Sequence, residues 1–122
     1  MTNHTTSLSA PDRLTYLART ILAERQRRAR CFDPTLFGEP AWDILLALYV
    51  GEEESGRQTI GQLIRWVEVP QTTALRWIAH LERSGLVIRR PHPTDLRIVF
   101  IELTETARAR LEEYLAGVSI DS

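Results

Sequence analysis

Arginine, threonine and histidine side chains between residues 71 and 97 are the groups with which this chain could recognise a ligand. At about 100° per residue, Thr72, Arg76 and Arg83 fall on one face of a helix over residues 71–83. Apolar side chains gather on the opposite face: Ala74, Trp77, Ile78 and Leu81. A guanidinium donates paired hydrogen bonds to a guanine edge or to phosphate. The pattern predicts an amphipathic helix that packs by one face and can enter a groove of double-stranded DNA with the other.

A short β-hairpin is predicted directly after this helix. Gly85 ends the helix, residues 86–90 and 98–102 have the composition of strands, and a basic turn with two prolines joins them. A helix followed by such a hairpin is the order of a recognition helix and a wing.

Two pairs of charged residues define what the wing could do. Side chains of adjacent strand residues point to opposite faces. We therefore expect only one of Arg89 and Arg90 to face DNA, and the other to pair with an acid or lie over the domain. Asp95 and Arg97 are two residues apart and are expected to brace the turn as a pair.

Three motifs extend the argument beyond the helix and hairpin. Residues 81–87 read LERSGLV, residues 92–97 read HPTDLR and residues 103–105 read LTE. In this order and spacing they resemble the multiple-antibiotic-resistance regulator (MarR) family of transcription factors, over most of residues 38–115. The resemblance implies a mainly α fold with a small β-hairpin wing (α+β), in which a winged helix-turn-helix is flanked by N- and C-terminal dimerisation helices. It also implies a homodimer on a palindromic DNA site.

The resemblance and the helical periodicity together suggest a set of DNA contacts. The candidate residues are Gln71, Thr72, Thr73, Leu75, Arg76, His80, Arg83, Arg89, Arg90, His92 and Arg97. Leu75 could touch a thymine methyl group or merely pack, and His80 could contact phosphate or face solvent. Leu96 stands where many family members have arginine, which leaves the depth of minor-groove insertion open.

The remaining elements are predicted from apolar spacing and helix-capping residues. A first helix opens at Pro11, and a second runs from residue 40 to a solvated acidic loop at residues 51–56. A third covers Ile60–Val67 behind a capping-box pattern at Thr59, and a last helix follows Thr104. The expected organisation is a flexible N-terminus (1–10), an N-terminal helix and connection for dimerisation (11–37), a DNA-binding domain (38–103) and a C-terminal dimerisation helix (104–122). The candidate dimerisation residues are Leu14, Leu17, Ile21, Leu111, Tyr114, Leu115 and Val118.

Composition fits one small globular domain. The chain has 122 residues and a net charge of −1, yet residues 57–97 carry seven arginines against three acids. All 15 basic residues are arginine, which reflects either genome composition or a use in paired hydrogen bonds. No apolar run approaches the ~20 residues of a membrane span, the first residues lack the order of a signal peptide, and a single cysteine favours a reducing cytoplasm.

Other functional classes find less support in the sequence. No phosphate loop, nucleophile motif or metal-ligand spacing is present, so we predict no enzyme, no cofactor and no metal site. Cys31 follows several arginines that would lower a thiol pKa, which suits a redox sensor, but a lone cysteine is more often a small buried apolar residue. Related regulators bind small aromatic ligands, and here a pocket would lie near Tyr16 and Trp42, although tryptophans are more often core. The alternative function is a winged helix that binds protein, as an adaptor or antagonist of another regulator.

Overall fold

The computed structural model describes residues 10–31 and 40–117, with the backbone alone at residues 10, 11 and 28–31. The elements follow in the order α1 (Ala10–Cys31), α2 (Ala41–Ser55), β1 (Gln58–Thr59), α3 (Ile60–Val67), α4 (Gln71–Arg83), β2 (Val87–Pro91), β3 (Val99–Leu103) and α5 (Glu105–Ala116). This mainly helical architecture with a small antiparallel sheet confirms the predicted fold class.

The helix-turn-helix consists of α3 and α4. Thr59 Oγ1 accepts a hydrogen bond from Gln62 N at 3.1 Å, and Gln62 Oε1 accepts one from Thr59 N at 2.9 Å. This reciprocal pair is the predicted capping box, and it fixes where α3 begins. Glu68 then takes a left-handed conformation with φ of 59°, which ends α3 and turns the chain towards Pro70 and α4.

The inner face of α4 packs on the core as its periodicity predicts. Ala74, Ile78 and Leu81 are buried, and Trp77 is half-buried. Burying a side chain of this size contributes about 1.5–3 kcal/mol, so the apolar face holds α4 in place while its other face remains exposed.

The wing is the antiparallel pair β2–β3, with Val87 opposite Leu103 and Pro91 opposite Val99. Both strands lie one residue later than predicted. The two-residue strand β1 pairs with the other edge of β3, giving the order β1-β3-β2. Strand β1 was not predicted, because two residues are too few to show the alternation of a strand.

The acidic run at residues 52–54 is the last part of α2 and not the solvated loop that the sequence suggested. Gly51 lies within this helix, and glycine suits the position because a Cβ there would stand 2.9 Å from the Gln58 side chain. Glu52 accepts a hydrogen bond from Leu103 N at 2.9 Å, so the acidic run is tied to the end of β3.

Arginines of α1 and α5 neutralise this acidic end of α2. Arg108 pairs with both Glu52 and Glu53, and Arg19 pairs with Glu54 through its Nε at 3.0 Å. The Arg19 guanidinium holds the pKa of the Glu54 carboxyl below its usual value. The helix continues beyond Gly51 because its acidic residues bind partners that are distant in the sequence, which no local sequence pattern indicates.

Helices α1 and α5 cover α2 and complete the core. Leu17 and Leu22 of α1 and Leu111 and Leu115 of α5 are buried in this cluster. Thr104 caps α5 by accepting a hydrogen bond from Ala107 N at 3.1 Å, as predicted. Among the described helices, none is long and apolar enough to cross a membrane.

Candidate nucleic-acid interface

The outward face of α4 presents unpaired polar groups. Gln71, Thr72, Arg76 and Arg83 are exposed, and in residues 40–117 neither of these arginines forms an ion pair or a side-chain hydrogen bond. Thr73 is half-buried and so has a smaller exposed surface. Arg76 lies midway along the helix, on the face opposite the buried Ala74 and Ile78, and its guanidinium can donate to a base edge if this face enters a major groove.

The two flanking candidates of α4 differ in surroundings. Leu75 is half-buried, so packing accounts for part of its surface and a thymine contact stays open. His80 is exposed, but its ring stands edge-on to the Trp77 ring with 5.3 Å between centroids. His80 also lines a groove together with Trp42 and Trp77. A contact with phosphate and a contact within this groove are therefore both compatible with its position.

Both adjacent arginines of the wing are paired, whereas one was expected to face DNA and the other to pair with an acid or lie over the domain. Arg89 Nε lies 3.0 Å from Glu82 Oε1, and Arg90 Nε lies 3.1 Å from Glu102 Oε2. The cause is the register, which puts Glu102 on the neighbouring strand within reach of Arg90. Exposed pairs contribute only about 0–1 kcal/mol, so phosphate could displace them, but neither cation is free beforehand.

The tip of the wing is held by the pair that the two-residue spacing predicted. Asp95 accepts hydrogen bonds from Arg97 Nε at 3.0 Å, Arg97 Nη2 at 3.0 Å and Arg97 N at 3.1 Å. The Arg97 side chain, and then its backbone N–H, lower the pKa of the Asp95 carboxyl below its usual value. The carboxylate is thus ionised and neutralised within the turn.

His92 also belongs to this turn. Its Nδ1 accepts hydrogen bonds from Thr94 N at 3.1 Å and Asp95 N at 3.0 Å, and its ring packs on Phe100 with 5.7 Å between centroids. Only the Nε2 edge of His92 is left for the phosphate contact that the sequence suggested, because Nδ1 caps the backbone of the tip.

A cleft of about 470 Å³ lies between the start of α3, the start of α4 and the wing. Its lining residues are Thr59, Ile60, Gly61, Ile64, Arg65, Gln71, Arg97, Ile98 and Val99. Arg65 is exposed and unpaired among the described residues, and it faces the same cleft as Gln71 and Arg97. Arg65 was not among the DNA contacts predicted from the sequence. Its position in the last turn of the helix before α4 was the available signal, since the first helix of a helix-turn-helix crosses the DNA backbone.

A second groove, of about 490 Å³, lies behind α4. It is lined by Arg25, Ala41, Trp42, Leu45, Trp77, His80, Leu81, Ser84 and Leu86. Trp42 is there as the sequence analysis expected for an aromatic-ligand pocket, but Tyr16 is not among the lining residues. Trp66 packs partly buried against the core, as expected of a structural tryptophan.

The candidate dimerisation residues fall into three groups. Leu17, Leu111 and Leu115 are buried inside the single chain, so they hold α1 and α5 to α2 and offer no surface to a second copy. Leu14 and Ile21 are partly buried, whereas Tyr114 is 50% exposed. Val118 and the Cys31 side chain lie outside the described residues, and the first nine residues do as well.

Comparison with known proteins identifies the fold and the family. The winged helix DNA-binding domain family matches residues 40–107. The HTH-type transcriptional repressor YetL of Bacillus subtilis is 34% identical over 79 residues, which cover 65% of this chain and 46% of that protein. The match therefore spans about half the length of that relative.

Two solved structures have the same fold. MepR of S. aureus, in its DNA-binding conformation, superposes with a TM-score of 0.58 at 22% identity, over 83% of this chain and 73% of that one. A MarR family transcriptional regulator from Silicibacter pomeroyi superposes with a TM-score of 0.53 at 23% identity, over 80% of this chain and 63% of that one. The matching family is one of DNA-binding domains and not of enzymes. The chain thus belongs to the winged helix DNA-binding domain family and has the fold of MarR family regulators.

Proposed function

We propose that this chain is a transcriptional regulator that binds a palindromic double-stranded DNA site as a homodimer. The observation that carries the proposal is Arg76 at the centre of α4, which is exposed and has no ion pair among the described residues; the same holds for Arg83, two turns further along the same face. Unpaired guanidiniums on a helix that is held by its opposite face are available for base edges and phosphates without prior loss of an ion pair.

The cleft beside α4 supports a phosphate contact in the same complex. Arg65 and Arg97 both line it, together with Gln71 at the start of α4. We propose that a phosphate of the DNA backbone lies here while α4 occupies the major groove. Arg97 can donate to that phosphate while it retains Asp95, because a guanidinium has five N–H donors.

Selection of binding sites from random duplex DNA, followed by a gel shift over a salt series, tests this function. A shared, two-fold symmetric sequence and a steep fall of affinity with salt are expected, since each neutralised phosphate releases counterions. Recovery of no sequence, with no shift of any duplex at low salt, would contradict the proposal.

A winged helix that binds protein is the second candidate function. It is favoured by the pairing of Arg89 and Arg90 with glutamates, which reduces the attraction of the wing for phosphate. The same salt series decides between the two functions. A protein-binding module would show weak DNA binding that does not depend on sequence.

The groove behind α4 supports a proposal for an effector. Trp42, Trp77 and His80 supply aromatic surface, and Arg25 at its edge could attract an anionic group, although it already pairs with Asp43. We propose a small aromatic ligand here, with salicylate as the probe. Quenching of tryptophan fluorescence that is lost on Trp42→Ala is expected; unaltered fluorescence at millimolar salicylate would oppose it.

A further inference from the structure

Leu96 stands at the apex of the wing and is 87% exposed. Ile98 N donates to Asp95 O at 3.0 Å and closes a turn in which Leu96 and Arg97 are the two central residues. Single apolar side chains are ordinary on protein surfaces. Two features distinguish Leu96 from such residues: the hydrogen bonds that order its turn and the ion pairs that balance the charges around it.

The tip that carries Leu96 is fixed before any partner binds. His92 Nδ1 accepts hydrogen bonds from two backbone N–H groups of the turn, and His92 N donates to Ile98 O at 3.0 Å. The Asp95–Arg97 pair closes the turn from the other side. Because the loop is already ordered, little conformational entropy is lost when Leu96 is buried against a partner.

The charges of the wing are balanced within the protein. Asp95 and Arg97 neutralise each other beside Leu96, and the strand arginines are paired with Glu82 and Glu102. The apex therefore carries little net charge, although the exposed Arg97 guanidinium can still donate to a phosphate while it retains Asp95. Beside this ion pair the apex exposes the apolar side chain of Leu96.

We propose that Leu96 acts as an apolar wedge, inserted from the minor groove against a base step next to the site read by α4. This rests on the proposed function, in which α4 lies in the major groove. The wing follows α4 directly along the chain, and β2 packs against α4. With α4 in the major groove, the proposal therefore places the tip of the wing at the flanking minor groove. Apolar side chains inserted there unstack a base step and bend the duplex towards the major groove.

The wedge predicts a feature of the DNA site that no hydrogen bond from the protein would specify. Pyrimidine–purine steps such as TA and CA are the easiest to unstack. One such step is expected at a fixed distance outside each sequence that α4 contacts.

The test uses the full chain on the duplex recovered by selection, with 2-aminopurine at the flanking step and a fluorophore pair at the ends. The wild type is expected to raise 2-aminopurine fluorescence and bring the ends together. Leu96→Ala should abolish both signals and weaken binding roughly tenfold, since it removes most of the buried apolar side chain. Leu96→Phe should keep both signals.

Two variants control for wing stability and for charge. Ile88 is an exposed apolar residue of β2 away from the apex, and Ile88→Ala should leave both signals unchanged. Leu96→Arg should bind with a steeper salt dependence and without the 2-aminopurine signal.

Three results would overturn the wedge. If Leu96→Ala gives the same 2-aminopurine and end-to-end signals as the wild type and binds the duplex with the same affinity, Leu96 is not a wedge. DNA binding would then stand without it, and the tip would be available to a protein partner. A full 2-aminopurine signal in Leu96→Arg would show that apolar character is irrelevant. A wild-type chain that shifts no duplex would remove the proposed function together with the wedge.

Discussion

Arg76 is the side chain on which sequence reading by α4 depends most directly. It is exposed, unpaired within residues 40–117 and midway along the helix. We expect Arg76→Ala to cost about 1–3 kcal/mol on the selected site and to relax preference at one base pair. The measurement is a gel shift on the selected duplex and on its single-base variants.

Arg83 supplies the matched control for this substitution. It is also exposed and without an ion pair in the part of the chain that the structure describes, but it lies at the last position of α4. Arg83→Ala should weaken binding to every duplex about equally and lower the salt dependence, as loss of a phosphate contact does. If Arg76→Ala gives the same uniform loss, Arg76 contacts the backbone and not a base.

Asp95 illustrates how a negative charge could favour DNA binding. It accepts three hydrogen bonds from Arg97 and so orders the tip of the wing. We predict that Asp95→Ala weakens binding, because the gain from removing a charge is smaller than the loss of an ordered tip. The comparison is made by gel shift at low and moderate salt, with Asp95→Asn as the partial replacement. Tighter binding by Asp95→Ala at low salt would show that Asp95 only repels phosphate.

At the scale of the elements, features that depend on residues close together in the sequence were predicted correctly. A helix end that depends on distant residues was not. The capping box at Thr59 and Gln62 and the cap at Thr104 involve residues three positions apart, so their sequence pattern was enough. The predicted end of α2 was wrong because Glu52 is bound by Leu103 and Arg108, about fifty residues further along the chain.

The site shows the same division. The Asp95–Arg97 pair follows from spacing alone and was predicted. The pairing of Arg90 with Glu102 depends on the register of β2 and β3, which the strand pattern gave only to within one residue. Arg65 was missed because its relevance arises from a cleft between three elements.

Glu52 offers a test of the contact between α2 and β3. Its carboxylate satisfies Leu103 N, and an unsatisfied buried N–H costs about 1–3 kcal/mol. Glu52→Ala should lower the free energy of unfolding by about that amount, measured with denaturant, whereas Glu52→Gln keeps an acceptor and should lose less. Equal stability of Glu52→Ala and the wild type would show that water satisfies Leu103 N.

The pH dependence of this contact has a defined sign. Burial raises the pKa of the Glu52 carboxyl above its usual value of 4.5, although Leu103 N and Arg108 oppose the shift. The folded state therefore binds the proton more tightly than the unfolded state does. The stability of the wild type relative to Glu52→Gln should rise as pH falls through the folded pKa towards 4.5, and be lost as pH rises through it. An opposite slope in denaturant titrations at several pH values would show that Arg108 outweighs burial.

At the scale of the whole molecule, ion pairs divide the charges into two regions. The acidic end of α2 is neutralised by Arg19 of α1 and Arg108 of α5. Arg65, Arg76 and Arg83 of the helix-turn-helix, by contrast, form no ion pair with any residue in 10–31 or 40–117. A net charge of −1 is thus compatible with a positive local field, which is what a phosphate experiences.

A homodimer would place two copies of α4 about 34 Å apart, one helical turn of DNA. Because Leu17 and Leu115 are buried within one chain, charged substitutions there would unfold the protein and could not test dimerisation. Tyr16 and Tyr114 are instead 56% and 50% exposed on the two terminal helices. We predict that Tyr16→Glu combined with Tyr114→Glu gives folded monomers by light scattering and circular dichroism. Affinity for the palindromic duplex should fall to that for a single half-site.

Ala109→Glu, on the exposed surface of α5, is the control that should remain dimeric. A wild-type chain that is monomeric at micromolar concentration, and binds one half-site as tightly as two, would rule the dimer out.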